Sequence, residues 1–256
     1  MSAVLDEAGS LSQDIALVTG ASRGIGLEIA TRLAGEGYAL TISARREPGL
    51  REVAARLRDR TGAPVHAVAA DLAADDAPAR LVAAHADHFD RLDLLVLNAG
   101  VGTAGRVADL PTRSLDLMLK VNLRAQFLMV RLALPLLRRA AAARPERGAK
   151  IVAVASITGV AGEAGLAAYG ASKAALLSLC ETVSLEESAA GVAATAISPG
   201  YVDTDMAAWQ HDTVGRDAML PAGDVAELVM AVSRLSARAV VPNIVLSRAG
   251  DRLWRA

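Results

Sequence analysis

The sequence predicts an α/β fold, a doubly wound parallel sheet of about seven strands with helices on both faces. Three observations carry this. Short apolar runs rich in Val, Ile and Leu alternate along the chain with longer segments of helical period. The first run passes directly into a glycine turn and then a helix, the unit from which wound sheets are built. No linker-like break in composition interrupts the 256 residues, and 53% apolar content is enough for one large core. A single domain over 1–256 is expected, with 1–13 as a flexible tail.

Ile15-Ala-Leu-Val-Thr19 has the β-branched, all-apolar character of a buried parallel strand. Strands are expected near 15–19, 38–44, 65–69, 93–97, 149–155, 192–197 and 240–246, and helices near 24–35, 47–60, 75–88, 112–141, 168–189 and 223–236. Pro135 falls inside the fourth helix and should kink it or lengthen one turn. Arg138 and Arg139 suit that helix's C-terminal dipole. Residues 201–222 lack a clear period and carry Met206, Trp209, Met219 and Leu220. They read as a mobile apolar flap over the site, with a plain connecting loop as the alternative.

Two motifs carry chemistry. Gly20-Ala-Ser-Arg-Gly24-Ile-Gly26 lies between strand and helix, the context a dinucleotide-phosphate site requires. Gly20 permits the tight turn, Gly24 a close approach of backbone to pyrophosphate, and Gly26 close helix–strand packing, while the helix N-terminus offers free N–H groups. Tyr169 and Lys173 stand four apart on an Ala-rich helix and share one face. A free phenol has a pKa of roughly 10. A close cation with water excluded is expected to favour the phenolate and bring that pKa down toward the working range. Ser156 lies thirteen residues upstream of Tyr169.

These stretches resemble the short-chain dehydrogenase/reductase family in its compact single-domain, Rossmann-fold form, and its 3-oxoacyl-carrier-protein reductase-like members. Thr19 to Gly26 matches the family's Thr-Gly-x-x-x-Gly-x-Gly motif, Asn98-Ala99-Gly100 its Asn-x-Gly, and Pro199-Gly200 with Thr204 its later Pro-Gly and threonine. Leu97 stands where relatives often have a second asparagine. The resemblance runs from about Asp14 to Met206; beyond it the C-terminal segment departs from the usual Asp-Gly-Gly-like ending, which puts assembly geometry in doubt. It implies a catalytic set of Asn122, Ser156, Tyr169 and Lys173. It implies cofactor contacts from Gly20, Ser22, Arg23, Gly24, Ile25 and Gly26 in the first turn, and from Arg45, Asp71 and Leu72 near the adenosine. Asn98, Ala99, Gly100, Tyr169, Lys173, Pro199, Gly200, Val202 and Thr204 complete the cofactor wall. Lys173 is expected to bond the nicotinamide ribose as well, and Asn122 to hold a water that relays protons to it.

Cofactor choice follows from charge. An acid at the end of the second strand would bind a ribose 2′-hydroxyl and repel a 2′-phosphate. Here that slot reads Ala44, followed by Arg45, with Arg23 in the glycine turn. Guanidinium groups match phosphate oxygens, so NADP(H) is expected over NAD(H).

The remaining signals exclude more than they suggest. Net charge near −1 offers no field for nucleic acid or anionic membranes, and no apolar run is long enough to span one. A single cysteine, Cys180, allows no disulfide framework, and the start lacks a signal-peptide pattern, so a cytoplasmic protein is expected. His85 and His88 are expected on a surface helix without a metal, His66 beside the third strand, and His211 in the flap. A hydrolase elbow is missing around Ser156. The expected function is carbonyl reduction, or alcohol oxidation in reverse, on a small-molecule substrate, with Tyr169 as general acid/base. A cofactor-binding regulator or scaffold on the same fold is the alternative. A nucleotide-sugar epimerase or dehydratase would need a larger C-terminal domain. Leu115, Leu119, Phe127 and Leu134, with Leu176, Leu179 and Val183, are expected to pair with a second copy in a homodimer or homotetramer, a packing the resemblance also implies.

Overall fold

The computed structural model describes residues 13–250. The expected N-terminal tail lies, but for Gln13, outside the described residues, as do residues 251–256. Seven strands, β1 (Ile15–Thr19), β2 (Ala39–Ala44), β3 (Val65–Ala69), β4 (Leu94–Leu97), β5 (Ala149–Val154), β6 (Val192–Pro199) and β7 (Asn243–Leu246), form one parallel sheet in the order β3-β2-β1-β4-β5-β6-β7. The order reverses between β1 and β4, which opens a crevice at the C-terminal ends of those two strands.

Both sheet faces are covered because each strand is apolar on both sides. Ala16, Val18, Leu94 and Val96 pack with α1 (Gly24–Gly35), α2 (Glu47–Thr61) and α8 (Ala222–Ser233). Leu17, Leu95 and Leu97 face the other way, toward α3 (Ala77–Ala86), α5 (Ala125–Ala143) and α6 (Ala167–Glu187). This alternation of faces follows from the two-residue period of a strand.

The helix expected over 112–141 is three pieces: α4 (Thr112–Leu119), a π turn (Lys120–Arg124) and α5. The Ala125 N–H reaches back five residues to the Lys120 carbonyl. A single such turn leaves the apolar period almost unchanged, so periodicity does not announce it. Pro135 lies within α5, which continues through it to Ala143. Arg138 is not a dipole cap. It grips Glu187 of α6 through two nitrogens, at 2.8 and 2.5 Å. The last strand begins at Asn243, after Pro242, rather than at 240. Leu176 and Val183 are buried within the chain's own core and are not free to face a second copy, whereas Phe127 is 49% exposed.

The segment 201–222 has structure of its own. It holds two 3-10 turns around α7 (His211–Val214), and a bridge between Val202 and Leu220 ties its two ends together. Met219 and Leu220 are buried at its root, while Met206 and Trp209 remain about half exposed.

His85 overturns the surface expectation. Helix α3 ends at Ala86, and His85 is fully buried against β2, while His88 lies beyond the helix, its ring stacked on His66 with centroids 4.5 Å apart. The His85 Nε2 donates to the Arg91 carbonyl, since a carbonyl only accepts, and Nδ1 accepts from the Thr41 hydroxyl at 2.8 Å. Burial pushes the ring's pKa down from 6.5 to about 4, so at neutral pH the ring is neutral, which is what makes Nδ1 the acceptor. The folded state therefore binds this proton more weakly than the unfolded chain. Its stabilising contribution is present above pH 6.5 and is lost as pH falls through about 4. The difference corresponds to about 3 kcal/mol. Urea midpoints should fall between neutral pH and about pH 4 in the native protein, and His85→Gln, which carries no titrating ring, should lose that share of the slope.

Candidate active site

The crevice between β1 and β4 opens into a cleft of about 1140 Å³ that runs along the C-terminal edge of the sheet. The turn after β1 forms one wall. Gly24 opens α1 with φ +55°, a left-handed conformation that favours glycine. Arg23 caps the helix in extended conformation without a side-chain cap bond, which leaves the first-turn N–H groups for a ligand. Gly26 lies behind the wall. A Cβ there would sit 2.4 Å from both Asn98 Nδ2 and the Gly20 carbonyl oxygen.

The loop after β4 forms the floor, and Thr19 holds it. The Thr19 hydroxyl accepts from the N–H groups of Asn98 and Ala99, both at 3.0 Å, and donates to the Val96 carbonyl. Asn98 Nδ2 in turn donates to the carbonyls of Thr19 and Gly20. Of the residues singled out in the sequence, Gly20, Ser22, Arg23, Gly24, Ile25, Arg45, Asp71, Leu72, Asn98, Ala99 and Gly100 all line the cleft. So do Ser156, Tyr169, Lys173, Pro199, Gly200, Val202 and Thr204. Only Gly26 and Asn122 among them stand behind its surface.

Asn122 is completely buried in the π turn, and its side chain is fully engaged. Its Oδ1 accepts from the Val101 N–H at 2.8 Å, and its Nδ2 donates to the Val101 carbonyl and to Ser172 Oγ. Ser172 Oγ donates to the Tyr169 carbonyl at 2.7 Å. The side chain thus bolts the floor loop to the helix carrying Tyr169. Both amide protons are spent in this way, so a water held by this side chain would have to donate to Oδ1. Thr19 opens the glycine motif, but the motif does not show its hold on the loop after β4, and the sequence reading gives Ser172 and Thr158 no role. Each is a small hydroxyl that acts by orienting a neighbour, Ser172 through Asn122 fifty residues away and Thr158 through Ser156, and residue type alone does not mark it.

Around the far end of the cleft, three side chains converge. Ser156 Oγ accepts from both the N–H and the hydroxyl of Thr158, at 3.2 and 2.9 Å, which leaves its own proton to donate. It hydrogen-bonds the Tyr169 hydroxyl. Lys173 is buried, donates to the Val154 carbonyl at 2.7 Å, and lies 5.7 Å from the centre of the Tyr169 ring. Burial pushes the Tyr169 phenol up to about 12, against a smaller opposite pull from Ser156, and pushes Lys173 down to about 8. The expected depression of the phenol is therefore reversed in this arrangement. The ammonium lies over the ring, 5.7 Å from its centre, and loss of solvent sets the direction of the phenol's shift. At neutral pH Tyr169 holds its proton.

The residues present fit a dinucleotide: an uncapped helix N-terminus at the glycine turn, a long cleft, and arginines at the end of β2. Residues 14–214 match the short chain dehydrogenase family, and the chain belongs to it. It is an oxidoreductase of the class that works with nicotinamide cofactors. The chain is 30% identical over 227 residues to the 3-oxoacyl-[acyl-carrier-protein] reductase MabA of Mycobacterium avium, covering 86% of this chain and 81% of that one. The Pseudomonas aeruginosa RhlG/NADP active-site complex superposes with a TM-score of 0.82 at 30% identity, over 93% of this chain and 95% of that one. A 3-ketoacyl-(acyl-carrier-protein) reductase from Brucella melitensis complexed with NADH gives 0.79 at 26% identity, over 91% and 96%.

The close approach at Gly26 is directly testable. Gly26→Ala should destabilise the fold by about 1–3 kcal/mol through overpacking and weaken nicotinamide-cofactor binding, because Asn98 must move. Gly35, at the other end of the same helix, has nothing within 4 Å of a built Cβ. Gly35→Ala should be neutral or stabilising by up to about 1 kcal/mol. Thermal melts of the two variants compare them, and equal losses would refute the packing argument.

Proposed function

We propose that the protein is an NADP(H)-dependent carbonyl reductase, running in reverse as an alcohol dehydrogenase, with Tyr169 as general acid/base. The convergence of the Ser156 hydroxyl, the Tyr169 phenol and the Lys173 ammonium at one end of the cofactor cleft carries this reading. When bound, the nicotinamide cofactor supplies the hydride. Ser156, left with a free proton by Thr158, donates to the substrate carbonyl oxygen. Tyr169 gives that oxygen its proton as the alcohol forms. Lys173 stabilises the phenolate left behind. Asn122 and Ser172 keep the floor loop and the catalytic helix in register.

Charge supports NADP(H) over NAD(H). No carboxylate stands at the end of β2, where Ala44 is followed by the exposed Arg45, and Arg23 lines the same cleft. Tighter binding of NADPH than of NADH is expected. The substrate end is walled by Val101, Leu117, Val121, Leu166, Met206 and Trp209, which favours an apolar carbonyl compound. A 3-oxoacyl thioester, the substrate class named for the relatives, has that character. Among the described residues no helix is long and apolar enough to cross a membrane; a cytoplasmic location is part of the proposal.

Assembly belongs to the same proposal. Phe127 on α5 and Leu185 on α6 are exposed, and Leu115, Leu119, Leu134 and Leu179 are only partly buried. A second copy packed on these helices would cover them, giving a homodimer or homotetramer. Sedimentation at micromolar concentration should return such an oligomer, and a fully active monomer would refute it.

Tyr169→Phe tests the chemistry. Turnover on a verified carbonyl substrate should drop roughly 10²–10⁴-fold, because only the proton donor is lost. Cofactor affinity should change little. Wild-type turnover in this variant would overturn the mechanism.

A further inference from the structure

Arg23, the residue expected to face the 2′-phosphate, already holds an anion. Its Nη1 lies 2.7 Å from Oδ2 of Asp205. Asp205 belongs to the flap, one residue past Thr204, whose methyl would meet a Cβ built on Gly24 at 3.2 Å. The flap's root therefore rests on the glycine turn, and the Arg23–Asp205 pair hooks its next residue to the same turn. Both side chains line the cofactor cleft and are largely exposed, at 64% and 71%. Asp203 nearby is engaged elsewhere, by Arg216 at 3.0 Å and His211 at 3.3 Å, and Asp71 accepts from the Ala73 N–H. Among the described residues, Asp205 is the one carboxylate paired with Arg23.

We propose that Asp205 competes with the 2′-phosphate of the cofactor for Arg23, so that NADP(H), but not NAD(H), unhooks the flap from the glycine turn. This rests on the NADP(H) reading above. A 2′-phosphate brings close to two negative charges and three acceptor oxygens, against one charge on the carboxylate. Its bidentate match to a guanidinium makes it the stronger partner. Both anions on one guanidinium would bring like charges together, which favours exchange over sharing. The 2′-hydroxyl of NAD(H) carries no charge and leaves the pair intact. The flap also carries Met206, Trp209 and His211, which line the same cleft toward the substrate end. The identity of the cofactor at one end of the cleft is thereby transmitted to the wall that substrate meets at the other. By linkage, whatever holds the flap down must weaken binding of the phosphorylated cofactor by the same factor.

The test uses the full-length protein, NADPH and NADH, with dissociation constants from fluorescence titration and backbone hydrogen exchange over 205–216. Asp205→Asn should tighten NADPH two- to fivefold, the range for an exposed ion pair, and leave NADH unchanged. In an Arg23→Gln background the same substitution should have no effect on either cofactor. In wild type, NADPH should raise exchange over 205–216 relative to NADH, and Asp205→Asn should abolish that difference. Arg45→Asp tests the underlying reading, because it should shift preference toward NADH whatever Asp205 does. A wild type that binds NADH as well as NADPH, with no change in Arg45→Asp, overturns the cofactor reading and the latch together. A wild type that prefers NADPH, with an unchanged ratio in Asp205→Asn or equal exchange with both cofactors, overturns the latch alone.

Discussion

The site depends on one close approach, that of the first turn of α1 to the loop after β4. Strand order reverses at this point, so the chain must leave β1 and β4 in opposite directions and still present a continuous floor. Thr19 makes this possible. Its completely buried hydroxyl uses one proton and two acceptor positions on three backbone groups of β4 and the loop beyond. Asn98 returns two bonds to the turn after β1. With both sides tied, only hydrogen fits at Gly26. A valine in place of Thr19 would keep the volume but leave the loop N–H groups without a partner.

From that floor a chain of hydrogen bonds leads to the chemistry. Gln126 holds the Ala99 carbonyl, Asn122 closes a two-bond pair with Val101, and Ser172 passes from Asn122 to the Tyr169 carbonyl. The π turn is what brings Asn122 and Gln126 to this loop. Both side chains are fully buried there; the polar atoms of Asn122 are bonded and Gln126 Nε2 makes two bonds, while Gln126 Oε1 is left without a partner among the described residues. The cofactor wall and the catalytic helix are therefore linked by one chain of hydrogen bonds, and the flap is joined to the glycine turn through the Arg23–Asp205 pair.

What the sequence made legible was whatever has a period or a motif. The seven strands are runs of Val, Ile, Leu and Ala whose β-branched members fit a sheet covered on both faces, and glycines mark the turn at β1. The cleft-lining residues followed from motifs whose spacing is set by strand and helix geometry. Features with no local signature stayed hidden. The π turn adds one residue to a helical repeat, and hydrophobic periodicity hardly changes. His85 looked like a surface residue because the position where α3 ends, and the depth of β2 beneath it, are set by tertiary packing. Leu176 and Val183 looked available for a partner because helical period shows which face is apolar, but not what covers it. The Tyr169 phenol departs from its expected pKa for a related reason. Spacing places a cation near the ring, but only coordinates show that it lies over the ring and bonds a carbonyl.

That last point bears on how the pair would act in the proposed reaction. Burial disfavours charge on both groups, holding the phenol up at about 12 and the ammonium down at about 8. In the resting site the Lys173 ammonium donates to the Val154 carbonyl, and among the described residues no carboxylate pairs with it. As Tyr169 surrenders its proton, a phenolate appears a few ångströms away in a water-poor pocket, where charges attract far more strongly than in bulk. The ammonium then gains a counter-charge it lacked, and its own pKa rises accordingly. The interaction is thus small in the ground state and large once charge has moved, the condition under which binding energy lowers a barrier instead of deepening a well. Two groups that each look poorly adjusted alone are, as a pair, arranged for the moment of proton transfer.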